Sequence, residues 1–449
     1  MSRRVLVVGL RMTGLATARA LLAGGDTVTV VEEQPGQPGY AERVAEVRAA
    51  GATLVERPGP TDWAGLVGES DLVVPSPGVA PGHPVLAAAA SAGVPVRGDV
   101  DLAVGVATVP VCVVTGTNGK TTVTTLIAAM LEASGRRAPA AGNIGWALLD
   151  AVHRPMDVLV AEVSSFQLHT TTEAFAPRVA VLLNIADDHL DWHGSREAYA
   201  DAKSRCFRFQ RAEDLLVFNA DDPVVARLAA TAPGRRVGCS IDPAATEGYR
   251  LAGDHLVTPA AERILPIAEL AMRAPHDIAN ALAASAAALD LGATPEGVRA
   301  ALRSATRLHH RVEPIGETQG VRFIDDSKAT NPHATLTALA GFDRSVLIAG
   351  GRNKGLDLGV LRDAADRLAG VVAIGDAAAE VEAALGARVP TVRAGSMRDA
   401  VRAAADLAAP GDVVLLSPAC ASFDWYRSYE ERGDDFRAEV ETLIAERRA

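Results

Sequence analysis

Short apolar runs recur along this chain, and nearly every one passes directly into a turn rich in glycine or hydroxyl residues and then into a helical pattern. Val5–Val8 leads into Gly9–Gly14; a helix is predicted from Leu15 to Ala23, Gly24-Gly25 stops it, and Thr27–Val31 forms a second strand ending at Glu32. Asp71-Leu72-Val73-Val74 enters the turn Pro75-Ser76-Pro77-Gly78. The pattern restarts at Val109–Val114, followed by an amphipathic helix with Val123, Leu126, Ile127, Met130 and Leu131 on one face. Further strands are predicted at Val158–Glu162, Val179–Asn184 and Leu215–Asn219, and an Ala-rich helix at Asn280–Leu291. A third series has strands at Val321–Asp325, Ser345–Ala349, Val371–Ile374 and Val413–Ser417. Strands alternating with helices imply an α/β fold of mainly parallel sheets, with ligands at the carboxyl ends of the strands.

At about 100–200 residues per domain, 449 residues suggest two or three domains. Boundaries are expected in the stretch Val104–Thr108 and near Leu308, giving domains 1–106, 107–308 and 309–449. The balance of 44 basic against 55 acidic residues gives a net charge of −11, which argues against nucleic acid and anionic membranes as partners. A small anionic ligand stays open, because it needs only a local pocket of donors. No run approaches about 18 apolar residues, and MSRRVLVVGL is too short for a signal peptide. Cys112, Cys206, Cys239 and Cys420 stand apart with no CxxC pair, which fits a reducing cytoplasm.

Only four of the 44 basic residues are lysines: Lys120, Lys203, Lys328 and Lys354. Either they are stragglers, or each stands where a compact amine is needed as a point charge or nucleophile. Lys120 lies in Gly116-Thr117-Asn118-Gly119-Lys120-Thr121-Thr122, between a strand and a helix. That is the setting of a phosphate loop: backbone N–H groups cradle a triphosphate, the helix N-terminus adds positive potential, and Lys120 reaches the terminal phosphates. Thr121 is placed to ligate Mg²⁺. The generic pattern wants Gly at position 114, where this chain has Val. Glu162, at a strand end before Val163-Ser164-Ser165, suits Mg²⁺ as well as it suits a solvated loop. His189, flanked by Asp187, Asp188 and Asp191, is a metal-ligand candidate. Three strand-end loops follow in the last third: Asp325–Pro332, Gly350–Gly355 and Leu416–Asp424. Each alone reads as a turn; together they can converge on a small dianion.

Taken in order, GTNGKTT, GNIG (142–145), EVSSFQL (162–168), DDH (187–189), Lys203, His310-Arg311, DDSKATN (325–331) and LSPACASFD (416–424) resemble the Mur ligase family of peptidoglycan synthesis over nearly the whole chain. The last two segments point to the branch that adds D-glutamate. The resemblance implies a Rossmann-like N-terminal domain for a UDP-linked substrate, a central P-loop ATPase, and a Rossmann-like C-terminal domain that binds the amino acid and closes on ATP. It implies a cytoplasmic, monomeric ligase that joins D-glutamate to UDP-N-acetylmuramoyl-L-alanine through an acyl phosphate. Two Mg²⁺ are expected, one on Thr121 and Glu162, the other on His189 and a carbamylated Lys203. Lys120, His189 and Lys203 are then catalytic. Asn280 lies by the adenine, Asp326 by the ribose and Arg311 near the phosphates. Met12, Thr13, Glu32, Ser76, Pro77, Gly78, Asn143, Ser164 and His189 serve the UDP substrate. Lys328, Thr330, Lys354, Ser422 and Phe423 hold D-glutamate.

Five residues depart from the family pattern: Arg11 in the first turn, Glu32 and Glu33 where an Asp and a small polar residue are expected, Asp277 in the adenine-side segment, and Tyr429 beside the amino-acid loops. Three other readings stay open. One is a related ligase with another amino acid, including a folate-type polyglutamate ligase. Another is an inactive scaffold that binds nucleotide, and the third is a nicotinamide dehydrogenase. Arg11 tells against the last, since it occupies the middle glycine of GxGxxG.

Overall fold

The computed structural model describes residues 2–448. It holds three sheets, all mainly parallel and flanked by helices, so the α/β expectation is met. The first has the order Thr53–Glu56, Thr27–Glu32, Arg4–Val8, Leu72–Pro75, every pair parallel. The second orders nine strands as Arg263–Pro266, His255–Val257, Tyr249–Ala252, Arg235–Ser240, Leu215–Asn219, Val179–Leu182, Val111–Thr115, Leu159–Glu162 and Ala140–Gly142. Only its pairings on either side of His255–Val257 are antiparallel. The third runs Glu313–Thr318, Val321–Asp325, Val413–Ala419, Ser345–Gly350, Leu368–Ile374, Thr391–Arg393, antiparallel only in its first pair.

The chain divides into two compact units. The first takes the residues to Ile185 together with Trp192–Arg273 and Asp277–Ala305, and so carries two sheets; the second takes Ala186–Asp191, Ala274–His276 and the residues from Thr306. Within the first unit one apolar core runs from Val5, Val7 and Val30 through Val100 and Leu148 to Val113 and Leu159. The helix Asp99–Val106 supplies part of this core, so three of the five residues in the stretch predicted as a boundary are helical. Arg19 of the first helix donates to both Glu46 and Asp150, at 2.8 and 2.6 Å.

Register decides what the strand ends present. Val114 lies opposite Glu162 on one side and Val181 on the other, so three loops of the first unit leave at one level. In the second unit Leu416 pairs with Asp325 and with Ile348, which aligns its three strand-end loops in the same way.

Candidate active site

Gly119 adopts φ +85° at the head of the helix Lys120–Ala133. A Cβ there would sit 2.8 Å from Asn280 Oδ1 and 3.2 Å from a Leu183 methyl, so the left-handed turn and the close approach both require glycine. Asn280 is thereby placed against the phosphate loop, while Thr121 and Thr122 stand in the helix's first turn. Lys120 Nζ donates to the carbonyls of Gly116 and Thr117 at 2.9 and 2.8 Å. Lys203 Nζ, 1% exposed, donates to the same Gly116 carbonyl at 2.8 Å and lies 4.6 Å from the Tyr199 ring centre. Two of the four lysines thus meet at one oxygen. Asn184 fixes the loop from the next strand: its Oδ1 accepts from Asn118 N at 2.8 Å and its Nδ2 donates to Asn118 O at 3.1 Å.

Glu162 is buried. One carboxylate oxygen accepts from Asn143 Nδ2 at 2.9 Å, and Asn143 N donates to the Glu162 carbonyl at 2.9 Å. The other oxygen, Oε2, is buried without a hydrogen-bond partner. A buried carboxylate oxygen with no donor is costly unless a cation meets it. These residues therefore fit a divalent cation. Ser164 caps the short helix Ser165–Leu168 in a reciprocal box with Gln167, and Gln167 Nε2 reaches the buried Asp99 carboxylate at 3.2 Å. Burial pushes the Asp99 carboxyl up to about 6 against the opposing Gln167 bond.

At the first sheet's strand ends, Glu32 accepts from Leu10 N and Gln34 N, both at 2.8 Å. Ser76 Oγ approaches the Gly9 carbonyl at 3.5 Å, at the start of the turn that continues through Pro77 and Gly78. The helix begins at Met12 rather than Leu15, since Leu15 N already donates to the Arg11 carbonyl at 2.9 Å. Met12, in its first turn beside Thr13, is 70% exposed. Glu33, one of the departures, pairs with His83 at 3.0 Å.

In the second unit, Asp188 accepts from Lys354 Nζ at 2.5 Å and Asn331 Nδ2 at 3.1 Å, with His189 Nε2 3.5 Å away. Burial pushes its carboxyl up, but Lys354 and His189 outweigh this and hold it below the usual range. His189 has a left-handed backbone, φ +53°. Asp326 is buried; it accepts from Ser417 Oγ at 2.9 Å and Val312 N at 3.3 Å. Burial pushes it up to about 7, opposed by the Ser417 bond and by Arg311. Lys328 Nζ lies 3.5 Å over the Tyr429 ring, so this departure supplies an aromatic face to a predicted ligand residue. Thr330 stands in the same loop, Ser422 is buried, and Phe423 is 64% exposed.

Three family models cover the chain in sequence: the Mur ligase MurD-like N-terminal domain over residues 3–98, the Mur ligase middle domain over 114–288, and the Mur ligase glutamate ligase domain over 310–420. The UDP-N-acetylmuramoylalanine–D-glutamate ligase of Frankia casuarinae is 47% identical, covering 97% of this chain and 93% of its own. The ligase of the same name from Desulfosudis oleivorans is 44% identical over 98% of this chain and 97% of its own. This chain belongs to the Mur ligase family. Solved structures agree on the fold. A MurF ligase from Thermotoga maritima in complex with ADP covers 93% of this chain and 96% of its own, with TM-score 0.61 and 17% identity. The UDP-N-acetylmuramate-alanine ligase of the same organism covers 98% and 100%, with TM-score 0.59 and 20% identity.

For this Mur ligase the sequence reading omitted Asn184, Asn331, Asp188, Asp99 and Arg432 from the site. The first two are among only seven asparagines, which is a usable signal. Asp99 and Arg432 have none, because their partners are distant in sequence.

Proposed function

We propose that this Mur ligase condenses D-glutamate with the carboxyl group of UDP-N-acetylmuramoyl-L-alanine at the expense of ATP. The convergence of Lys120, Lys203 and the half-partnered Glu162 on the phosphate-loop end of one sheet carries the ATP-dependent reading. The choice of amino acid and acceptor is supported by the relatives' name and by the lysine- and hydroxyl-rich loops of the second unit.

A carboxylate is a poor acylating agent, so its oxygen first attacks the γ-phosphorus and ADP leaves. Lys120 turns from the loop carbonyls to the phosphate oxygens and spreads the charge of that transfer. Asn280 takes the purine side. Thr121 and Glu162 would hold Mg²⁺, which would supply charge neutralisation at the phosphates. Addition of CO₂ to the neutral Lys203 amine, with loss of a proton, would replace one of two crowded cations with a carbamate anion that would hold a second ion. The amine of D-glutamate then attacks the acyl carbon, phosphate leaves, and a proton is released. Lys328, Thr330, Lys354, Ser422 and Phe423 hold the two carboxylates, and Asp326 and Arg311 serve the nucleotide. Water must be kept from the acyl phosphate throughout. The chain works in the cytoplasm, where its nucleotide substrates are made, and as a monomer.

The test is a panel of D-glutamate, L-glutamate, L-alanine and L-lysine with ATP, Mg²⁺ and the muramoyl acceptor, read by phosphate release and product mass. Only D-glutamate is expected to give the amide. Product with another amino acid in its place would overturn the assignment.

A further inference from the structure

Arg432 is the largest fully buried side chain in the described residues, at 1% exposure. It lies on the helix Tyr429–Arg448, one turn after Tyr429 and outside the strand-end loops quoted from the sequence. Its guanidinium donates to one hydroxyl and two carbonyls rather than to a carboxylate: Nε to Ser327 Oγ at 3.0 Å, Nη2 to Ser327 O at 2.8 Å, and Nη1 to Cys420 O at 3.1 Å. Ser327 Oγ in turn donates to the Tyr429 carbonyl at 2.8 Å, which ties the loop back to the start of the same helix. Burial pulls the guanidinium down to about 10, so it keeps its charge at neutral pH.

Those acceptors are not scattered. Ser327 directly precedes Lys328, and Cys420 stands two residues before Ser422. The third loop is bound to the second by a reciprocal pair, Arg352 N to Ala421 O at 2.8 Å and Ala421 N to Arg352 O at 3.0 Å. Gly351 comes so close that a Cβ there would lie 2.3 Å from Ala421 O and 3.1 Å from Arg432 Nη1, with φ already +124°. One guanidinium therefore sits beneath all three strand-end loops of the third sheet. A buried cation without a paired carboxylate is costly. A planar fork of five donors is suited to satisfying acceptors on two loops at once.

We infer that Arg432 is a positioning residue for the amino-acid pocket: it sets the relative placement of the loops bearing Lys328, Lys354 and Ser422 and adds a fixed positive charge below a dicarboxylate. This rests on the reading of those loops as the D-glutamate site. Arg432→Lys keeps the charge but loses the fork, and Ser327→Ala removes one arm while leaving the guanidinium in place. In the full-length enzyme Arg432→Lys should raise the KM for D-glutamate roughly 10- to 100-fold, the scale of a misplacement near 1 Å. Ser327→Ala should raise it about fivefold, the loss of one hydrogen bond. The KM values for ATP and for UDP-N-acetylmuramoyl-L-alanine should not change. Acyl phosphate trapped by hydroxylamine without D-glutamate should form as in the wild type. An unchanged D-glutamate KM in a folded Arg432→Lys protein overturns the inference, as does an equal rise in all three KM values. Should Arg432→Lys not fold, Ser327→Ala decides alone by the same criterion. Wild-type enzyme that gives hydroxamate but never the glutamylated product would instead remove the D-glutamate reading, and the inference with it.

Discussion

The two amines at the Gly116 carbonyl behave as different instruments. Lys120 belongs to the loop, and in the proposed reaction it turns from the loop carbonyls to a phosphate. Lys203 arrives from the helix Arg196–Ser204 and is buried against Tyr199. The proposed carbamate gives this buried amine a task that a guanidinium cannot perform, because it requires an amine that adds CO₂. Lys203→Ala should then lower kcat by on the order of 10²–10³-fold, the scale of losing one preorganised charge. Acetate or formate should restore part of the rate by occupying the vacated space. Lys203→Arg should be as impaired as the alanine variant. Full activity in Lys203→Arg would eliminate the carbamate and leave Lys203 as a simple cation.

Among the elements, the short helix Ser165–Leu168 depends on neighbours far along the chain. Its cap, Ser164, is held by Gln167, and Gln167 by Asp99 in the first turn of Asp99–Val106. Asp99 is ordinarily ionised near 3.8, but its folded value is about 6, chiefly through burial. Well below pH 3.8 both folded and unfolded forms carry the proton. Between about 4 and 6 the unfolded chain ionises first, so stability drains away as pH rises through that window. Asp99→Asn removes this term. From pH 4.5 to 7.5 the unfolding free energy of the variant, from urea titrations, should gain on the wild type by about 2 kcal/mol. Parallel pH profiles would exclude the buried carboxyl as the cause. The same contrast of local and distant explains what was legible beforehand. Val321–Asp325 and Leu215–Asn219 match their predicted bounds because a run of apolar residues between breakers is a local signal. Thr53–Glu56, Ala140–Gly142 and the strands between Arg235 and Pro266 were not predicted; they are short, and several carry charged or half-exposed residues. Likewise GTNGKTT identified itself, whereas the Asn184–Asn118, Lys354–Asp188 and Arg432–Ser327 bonds join residues 66, 166 and 105 positions apart. No window of sequence holds both partners, so strand order had to be known first.

Across the whole molecule, the acidic chain of net charge −11 is proposed to bind three anionic substrates, which it can do only through concentrated local donors. Those donors are divided. Lys120 and Lys203 stand in the first unit, Lys328 and Lys354 in the second. If Lys120 of the first unit serves phosphoryl transfer and the amino-acid loops of the second present the amine, the two half-reactions should separate by mutation at those residues. Mg-ATP at 100 times its Kd should stabilise the full-length wild type by about 2.7 kcal/mol, visible as a rise in Tm. Lys120→Ala should lose that rise and form no trappable acyl phosphate. Lys354→Ala should keep both, yet show a raised KM for D-glutamate. Its loss also strips the buried Asp188 carboxylate of its 2.5 Å partner, so Asp188 should then be held less firmly in its ionised form. The informative result is the crossed pattern. A Lys354→Ala enzyme that loses acyl-phosphate formation as completely as Lys120→Ala would mean that the amino-acid loops take part in phosphoryl transfer itself, and the division of labour would have to be abandoned.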